Sequence, residues 1–418
     1  MFGPWRSQRR IGSIARLLLT LLLLYCLYLV ITHAVGYWYY RQGTVADLER
    51  AIAWNPQEAR YYAALARGQQ AALIEADPQK ILELYERAVA LAPRRAESWL
   101  QLGSAYEWAG RLTEARQAYE HALRRAPNSP QVNWQVGNFY LRTGELDAAF
   151  AALQRAAVQD PQLRRAVFAL AWRAADPERI RTQLLPRQTE VLLDYLDFLA
   201  ATDRADEAEA IWALLLAQGE KFAPQRVFPY LDLLLRSRRT AALQLAWQRL
   251  YPAPAPAGEL ITNGSFEQEA WNAGLDWHIY AAEGARAAIE AGTAQQGQRA
   301  LVIRFDGRQN VHFTHVFQHV PVMAEAQYRF VAWVRSEAVT TDRGPQLEIF
   351  DPDAPQRLRW TTPAMTGTHP WTELSLELRT GRQTSILVVR VTRLPSHRLD
   401  NRIAGTFWLD AVSLRSVP

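Results

Sequence analysis

The chain has 418 residues, enough for two or three domains each with its own core, and its 49% hydrophobic and 21% charged content excludes both a disordered chain and one wholly embedded in a membrane. The formal net charge of +5 arises from arginines mixed with acids along the chain, with no basic stripe and interleaved aromatics of the kind that tracks phosphates, so nucleic acid is set aside as a partner. One cysteine, Cys26, rules out an intrachain disulfide and a cysteine-rich zinc site.

Residues 1–16 form a short basic tail holding Arg6, Arg9, Arg10 and Arg16. From Leu17 to Tyr40 there is no Asp, Glu, Lys or Arg. At ~1.5 Å per helical residue that stretch covers ~30 Å of hydrocarbon with room for tilt. Tyr37, Trp38, Tyr39 and Tyr40 read as an interfacial aromatic belt, closed by Arg41. The arginines ahead of the span place the N-terminus in the cytoplasm and the rest of the chain across the membrane. Two alternatives compete with an uncleaved, single-pass anchor at 17–40. A cleaved signal peptide has Thr32-His33-Ala34 as its one small-residue site, and a lipoprotein would want a small residue where Tyr25 precedes Cys26.

Beyond the span, 44–251 carries a helical period. Val45 to Pro56 reads as the second helix of a degenerate repeat, and Tyr62, Leu65, Ala66 and Gln69 with Ile81, Tyr85, Ala88 and Pro93 as a further one. Then one pattern is written twice: Trp99, Leu102, Gly103, Tyr106, Gly110, Ala115, Tyr119, Ala122, Pro127, and 34 residues on Asn133, Val136, Gly137, Tyr140, Gly144, Ala149, Leu153, Ala156, Pro161. The first four positions fall at i, i+3, i+4 and i+7, one stripe of a helix, and the later alanines and aromatics form a facing stripe. The small residues Gly103 and Ala115 let the two helices cross closely, Gly110 turns the chain, and Pro127 ends the second helix. A unit of this period buries its apolar face only by stacking on a neighbour. This pattern resembles the tetratricopeptide repeat (TPR). After Pro161 the consensus fades while the spacing persists in Leu192, Tyr195, Leu196, Leu199 with Ala208, Trp212, Leu215, and in Val227, Tyr230, Leu231, Leu234 with Leu243, Trp247, Leu250. The expectation is one α-solenoid of about six helix pairs.

Residues 252–258, Pro-Ala-Pro-Ala-Pro-Ala-Gly, read as an extended linker. In 259–418 the period becomes two: Tyr328, Phe330, Ala332, Val334; Leu374, Leu376, Leu378; Leu387, Val389, Val391 alternate with other residues between turn clusters, as in an antiparallel β-sandwich. The segments Asn263-Gly-Ser-Phe-Glu267, Gly297-Gln-Arg-Ala-Leu301, Tyr328-Arg-Phe-Val-Ala-Trp-Val-Arg335 and Phe407-Trp-Leu-Asp-Ala-Val-Ser-Leu414 resemble carbohydrate-binding modules with a galactose-binding-like jelly roll, the group common in xylanases and cellulases. The resemblance implies a structural Ca2+ tying the first strand to the last, at the matching positions Glu267 and Asp410, although Ala411 stands where a second acid is usual. Strict alternation puts Asp410 on one strand face with Trp408, Val412 and Leu414, where a carboxylate needs a cation, an arginine or backbone amides.

Sugar binding in such modules uses an aromatic platform with polar neighbours. The faces opposite the expected core carry Trp333 with Arg329 and Arg335, Phe350 with Gln346 and Glu348, Trp371 with Glu373, and Arg390. Either Trp333, Phe350, Glu348, Trp371 and Arg390 share a carbohydrate cleft, or they lie on different sheets and pack singly. His312, His315 and His319 are spaced too widely along a strand rising ~3.3 Å per residue to share one ion. In the solenoid, Leu100, Ser104, Glu107, Trp134, Asn138 and Leu141 are expected to face a protein-binding groove; Trp134 stands where TPRs that clamp C-terminal carboxylates carry lysine.

No GxSxG, HExxH or phosphate-loop pattern occurs, and the expectation is a protein that is not an enzyme. The leading reading is a scaffold of the bacterial inner membrane, periplasmic or extracellular in bulk, carrying a carbohydrate-binding-like module for assembly or export of a surface polysaccharide. One alternative is a protein-assembly scaffold whose sandwich binds no sugar. The other is an accessory module of a glycoside-active enzyme.

Overall fold

The computed structural model describes residues 5–71, 77–219, 221–252 and 256–417, with side chains from residue 16 onward. The start of the basic tail and positions 253–255 of the expected linker lie outside the described residues. Two compact units divide the chain, Met1–Val191 and Leu192–Pro418.

In the first unit helices follow one another in antiparallel pairs: α1 (Trp5–Gln42), α2 (Val45–Trp54), α3 (Ala59–Ala71), α4 (Pro78–Leu91), α5 (Ala96–Trp108), α6 (Leu112–Arg125), α7 (Pro130–Arg142), α8 (Leu146–Gln159), α9 (Pro161–Ala174) and α10 (Pro177–Arg179), which runs into a π turn. The repeat residues do what their chemistry requires. A Cβ on Gly103 would stand 2.9 Å from the Tyr119 ring, and one on Gly137 2.7 Å from Leu153 Cγ, so only glycine permits α5 and α7 to cross their partners this closely. Gly110 and Gly144 turn the chain at φ +75° and +79°. Ser129 caps α7, accepting from the Val132 N–H at 3.4 Å, with Pro130 in the first turn.

Among the described residues one span, Arg16–Gln42, has the length and mean hydropathy, 2.2, to cross a membrane. Its end differs from expectation. Tyr37 and Trp38 are exposed, but Gly36 is buried and the Tyr40 ring lies 5.2 Å from Tyr61 of α3, so the last turns of α1 are packing surface.

The boundary falls in the first turn of α11 (Thr189–Ala201), and α12 (Ala205–Gln218), α13 (Phe228–Arg236) and α14 (Thr240–Leu250) follow in the second unit. Their buried residues are those of the fading pattern, Leu192, Tyr195, Leu196, Leu199, Trp212, Tyr230 and Trp247 among them. Among the described residues ten strands follow: β1 (His278–Ile279), β2 (Ala285–Ala291), β3 (Arg299–Asp306), β4 (Phe313–Pro321), β5 (Gln327–Val339), β6 (Gln346–Phe350), β7 (Arg359–Thr361), β8 (Gly367–Arg379), β9 (Ile386–Arg393) and β10 (Ala404–Val417). They form two antiparallel five-stranded sheets, ordered β2-β3-β10-β5-β8 and β1-β4-β9-β6-β7. Most of the alternation read in the sequence is core: Tyr328, Phe330, Ala332, Val334, Leu378, Leu387, Val389 and Val391 are buried between the sheets, Leu374 and Leu376 pack against them half-buried, and Leu347, Ile349, Phe407 and Leu409 join from β6 and β10. A buried guanidinium closes one end, Arg393 donating to the carbonyls of Arg343, Val311 and Asn401 and to Asn310 Oδ1.

The last helix pair is built onto the sandwich. Trp271, in the loop before β1, has ring centroids of Phe228, Trp247 and Tyr251 at 5.6, 5.4 and 5.0 Å. Trp247 Nε1 donates to Thr262 Oγ1 at 3.3 Å, and Arg238 pairs with Asp353. Gly274, at φ +58°, lets the chain pass the Trp247 ring, where a Cβ would stand 2.8 Å from Cζ3.

Candidate functional site

The five residues expected in one cleft are divided between the sheets. Trp333 (β5) and Trp371 (β8) belong to the first sheet; Glu348 and Phe350 (β6) and Arg390 (β9) belong to the second. All five point away from the core, because their neighbours Ala332, Val334, Leu374, Leu347, Ile349, Val389 and Val391 fill it. A sandwich has two outer faces, and residues on opposite ones cannot contact one sugar chain together.

On the second sheet the candidates are occupied by each other. Glu348, 4% exposed, pairs with Arg390 and, at 3.2 Å, with Arg359. Both guanidiniums lie over the Phe350 ring, 4.5 Å from its centroid for Arg390 and 5.9 Å for Arg359. A ring face covered by a cation is not a platform for a pyranose, and this cluster reads as structural. The β1–β4 side of the same sheet is crowded too: His278 stacks on Phe317 at 4.8 Å, with His319 edge-on to both rings. Burial is the main force lowering both imidazoles, His319 to about 4. His278 feels the charge of Asp232 and His319 that of Arg238, both on or beside α13. Among the described residues no group of three His, Cys, Asp or Glu side chains is placed to hold a metal.

On the first sheet the geometry differs. Trp333 is opposite Glu373 in the β5–β8 ladder, which sets Trp371, two residues along the same face, about 7–8 Å away on the diagonal. Both rings are half-buried. Arg329 and Arg335 project from the same face of β5, and Arg335 lies 4.9 Å over Trp408 of β10. Trp408, 8% exposed, packs with Val302, Ala300 and Trp371 in a small apolar cluster on this outer face. Sequence reasoning assigned Trp408 to the wrong set of neighbours. The register of β10 shifts between Asp410 and Ser413, around Ala411 at φ +46°, so Trp408 and Asp410 point outward while Val412 and Leu414 join the core. One inserted residue inverts the alternation, and no turn residue marks it.

The bulge also accounts for Asp410. Its Oδ2 accepts from the N–H groups of Gln295 (2.7 Å) and Gln296 (2.9 Å), and Oδ1 from Ala411 N–H (2.7 Å). Backbone amides, one of the partners expected, therefore satisfy the carboxylate; burial still raises its pKa, and the nearby Glu267 charge raises it further. Glu267 Oε1 accepts from Gln298 (2.7 Å) and Arg299 (3.0 Å) N–H groups in a space that exists because residue 297 is glycine: a Cβ there would stand 2.2 Å from Oε1. The pair suits calcium in kind, offering only oxygen donors and two like charges within Coulomb reach.

In the repeats, a cavity of about 340 Å3 is lined by Arg67, Gln70, Tyr85, Glu97, Leu100, Gln101, Ser104, Gln131 and Gln135. Leu100 and Ser104 of the expected groove set are there, though Leu100 is only 3% exposed. Glu107 is held elsewhere, accepting two bonds from Arg142 (2.6 and 2.9 Å) and one from Tyr119 (3.0 Å). Asn138 donates back to the Trp134 carbonyl at 2.7 Å, and Leu141 packs on the repeat core. The glutamines were missed, since amides at half-buried helical positions such as Gln70, Gln101 and Gln135 carry no pattern.

Residues 72–134 and 109–164 match family models described as tetratricopeptide repeat. The matched stretch takes in α4 to α8. No curated protein sequence matches the chain. Among solved structures, the chain is similar to Pseudomonas aeruginosa pilF at 21% identity over 54% of this chain and 92% of that one, TM-score 0.29. It is similar to the TPR protein YrrB at 18% over 48% and 91%, TM-score 0.26. It is also similar to the xylan-binding CBM22-1 domain of Paenibacillus barcinonensis Xyn10C, at 16% over 39% and 98%, TM-score 0.26.

Proposed function

We propose that this chain is a non-catalytic, membrane-anchored TPR scaffold whose sandwich reads a polysaccharide, working in assembly or export of a bacterial surface glycan. The observation that carries the sugar reading is the outer face of the first sheet, where Trp333 and Trp371 offer half-exposed rings beside Glu373, Arg329 and Arg335. A pyranose presents an apolar face to such rings and hydroxyls to the charged groups alongside. The TPR cavity takes an extended protein segment through its glutamine amides. The anchor is uncleaved, with the N-terminus cytoplasmic and the bulk of the chain periplasmic, as its leading arginines favour. Calcium, held against Glu267 and Asp410, has a structural role only.

The test is a glycan array probed with the full chain in detergent, wild type beside Trp333→Ala and Trp371→Ala. Binding that both substitutions abolish supports the reading. A folded chain that binds no glycan overturns it and leaves the protein-assembly scaffold, in which the sandwich serves as a docking module for protein.

A further inference from the structure

The apolar helix at the N-terminus is also a repeat helix. Val35-Gly36, Tyr39 and Gly43 stand at the spacing of Leu102-Gly103, Tyr106 and Gly110, and of Val136-Gly137, Tyr140 and Gly144. The structural roles match as well. Gly43 turns the chain at φ +75°, the value found at Gly110. A Cβ on Gly36 would meet Ala51 O and Tyr61 Cε2 at 3.3 Å each, as one on Gly137 meets Ala149 O at 3.4 Å. Helix α2 therefore folds back along α1, and its far end is fixed by Asn55 Nδ2 and His33 Nδ1 at 3.2 Å.

That bond sets the height of the repeat over a bilayer. The exposed apolar run Leu17 to Ile31, at ~1.5 Å per residue, spans only ~22 Å, short of the ~30 Å of a hydrocarbon core. About 20 residues are needed, and counted from Leu17 they reach Gly36. His33 and its partner Asn55 then lie ~4.5 Å inside that boundary. The segment brought there fits the interface: Ala51 to Gln57 carries no charge, and Trp54, 44% exposed, stands at its tip, with Trp38 and Tyr37 exposed on α1.

We infer that α1 is at once the anchor and the first helix of the first repeat, and that the turn Trp54–Pro56 is seated where the headgroup layer meets the hydrocarbon core of the membrane α1 crosses. The partner is the lipid surface, and the inference rests on the anchor reading above. No flexible tether separates bilayer from scaffold, so the repeats stand at a set angle to the membrane.

Depth measurement tests this. Single nitroxide labels are placed in the Cys26→Ser full chain through Leu23→Cys, Trp54→Cys and, as a distant exposed position, Leu112→Cys, and the protein is reconstituted in phospholipid nanodiscs. The expected result is oxygen-favoured collision at 23 and an oxygen-to-nickel accessibility ratio at 54 several-fold above that at 112. Gly36→Leu, with helical content retained, should drop the ratio at 54 to that at 112 while 23 is unchanged. Equal ratios at 54 and 112 in the parent protein, with 23 in lipid, overturn the docking and leave the anchor standing. Water-like accessibility at 23 overturns the anchor itself.

Discussion

Gly274→Ala is a sharp test of how the last helix pair is joined to the sandwich. Two costs add. Residue 274 sits at φ +58°, and a side chain in the left-handed region costs ~1–2 kcal/mol. The new methyl would stand 2.8 and 2.9 Å from Cζ3 and Cε3 of Trp247 and 3.0 Å from Leu231 Cδ1. Carbon contacts settle at ~3.5–4.0 Å, so the indole must retreat by about 1 Å. It has no room to do so, with Tyr251 stacked at 4.8 Å and Trp271 at 5.4 Å, and overpacking of this kind costs ~1–3 kcal/mol. The sum is on the order of 3 kcal/mol, close to 100-fold in an opening equilibrium. Because the chain has more than one cooperative unit, a single melting temperature would blur the effect, and amide hydrogen exchange across α14 is the better readout. Gly219→Ala is the control: it has φ +68° at the end of α12 but nothing within 4 Å, so it pays the backbone strain alone. Exchange in α14 no faster for Gly274→Ala than for Gly219→Ala would refute the view that Trp247 is wedged at this junction.

Three further outcomes are expected. Arg393→Met leaves the carbonyls of Arg343, Val311 and Asn401 without their donor and should destabilise the sandwich by ~3–5 kcal/mol in denaturant unfolding; a loss under ~1 kcal/mol would mean water replaces the guanidinium. Calcium at ~100-fold its dissociation constant should stabilise the full chain in detergent by about 2.7 kcal/mol, and Glu267→Gln should remove most of that gain; an unmoved midpoint in wild type rules out the site. His319, held down at about 4 by burial, contributes stability that is intact above 6.5 and is lost as pH falls through about 4, whereas Asp276, raised to about 6 by burial, contributes stability present below 3.8 and lost as pH rises through about 6. The two windows overlap between about 4 and 6 with opposite slopes, so His319→Gln should make the loss of stability shallower as pH falls below 6.5 and Asp276→Asn should make it steeper, and a profile changed by neither variant contradicts both assignments.

The helices were legible because their constraint is local. A 34-residue spacing of glycine, alanine and aromatic positions recurs only if each position has the same neighbour in every copy, and the contacts of Gly103 with Tyr119 and Gly137 with Leu153 are those neighbours. The strands were legible where alternation is unbroken, as in Phe330, Ala332 and Val334. The candidate site was legible only as a set of outward residues. Period two tells which side of its own sheet a residue faces, but sheet membership is a matter of long-range pairing, and nothing near Trp333 or Phe350 states that β5 pairs with β10 while β6 pairs with β9. The bulge at Ala411 was illegible for a related reason: it is stabilised by Val412 N–H bonding to Gly264 O at 2.8 Å, a residue nearly 150 positions earlier in the chain.

The two outer faces of the sandwich differ in what they leave free, and that difference bears on how a scaffold could use both ends of this unit. On the second sheet, salt bridges and cation–π contacts occupy Glu348, Phe350, Arg359 and Arg390, and the histidine side feels the charges of α13. Groups this fully engaged with one another gain little from a new ligand, since each contact made would displace one already present. On the first sheet Trp333 and Trp371 keep exposed ring area, and Glu373 is exposed beside them. Of the two outer faces of the sandwich, the one whose polar groups are bound up in their own pairs is the one beside α13, and the aromatic one keeps exposed area. On this division Arg390→Ala should destabilise the sandwich and leave glycan affinity within about twofold, while Trp371→Ala should abolish affinity in a chain that still folds; both variants losing affinity equally would place the ligand on neither face as described.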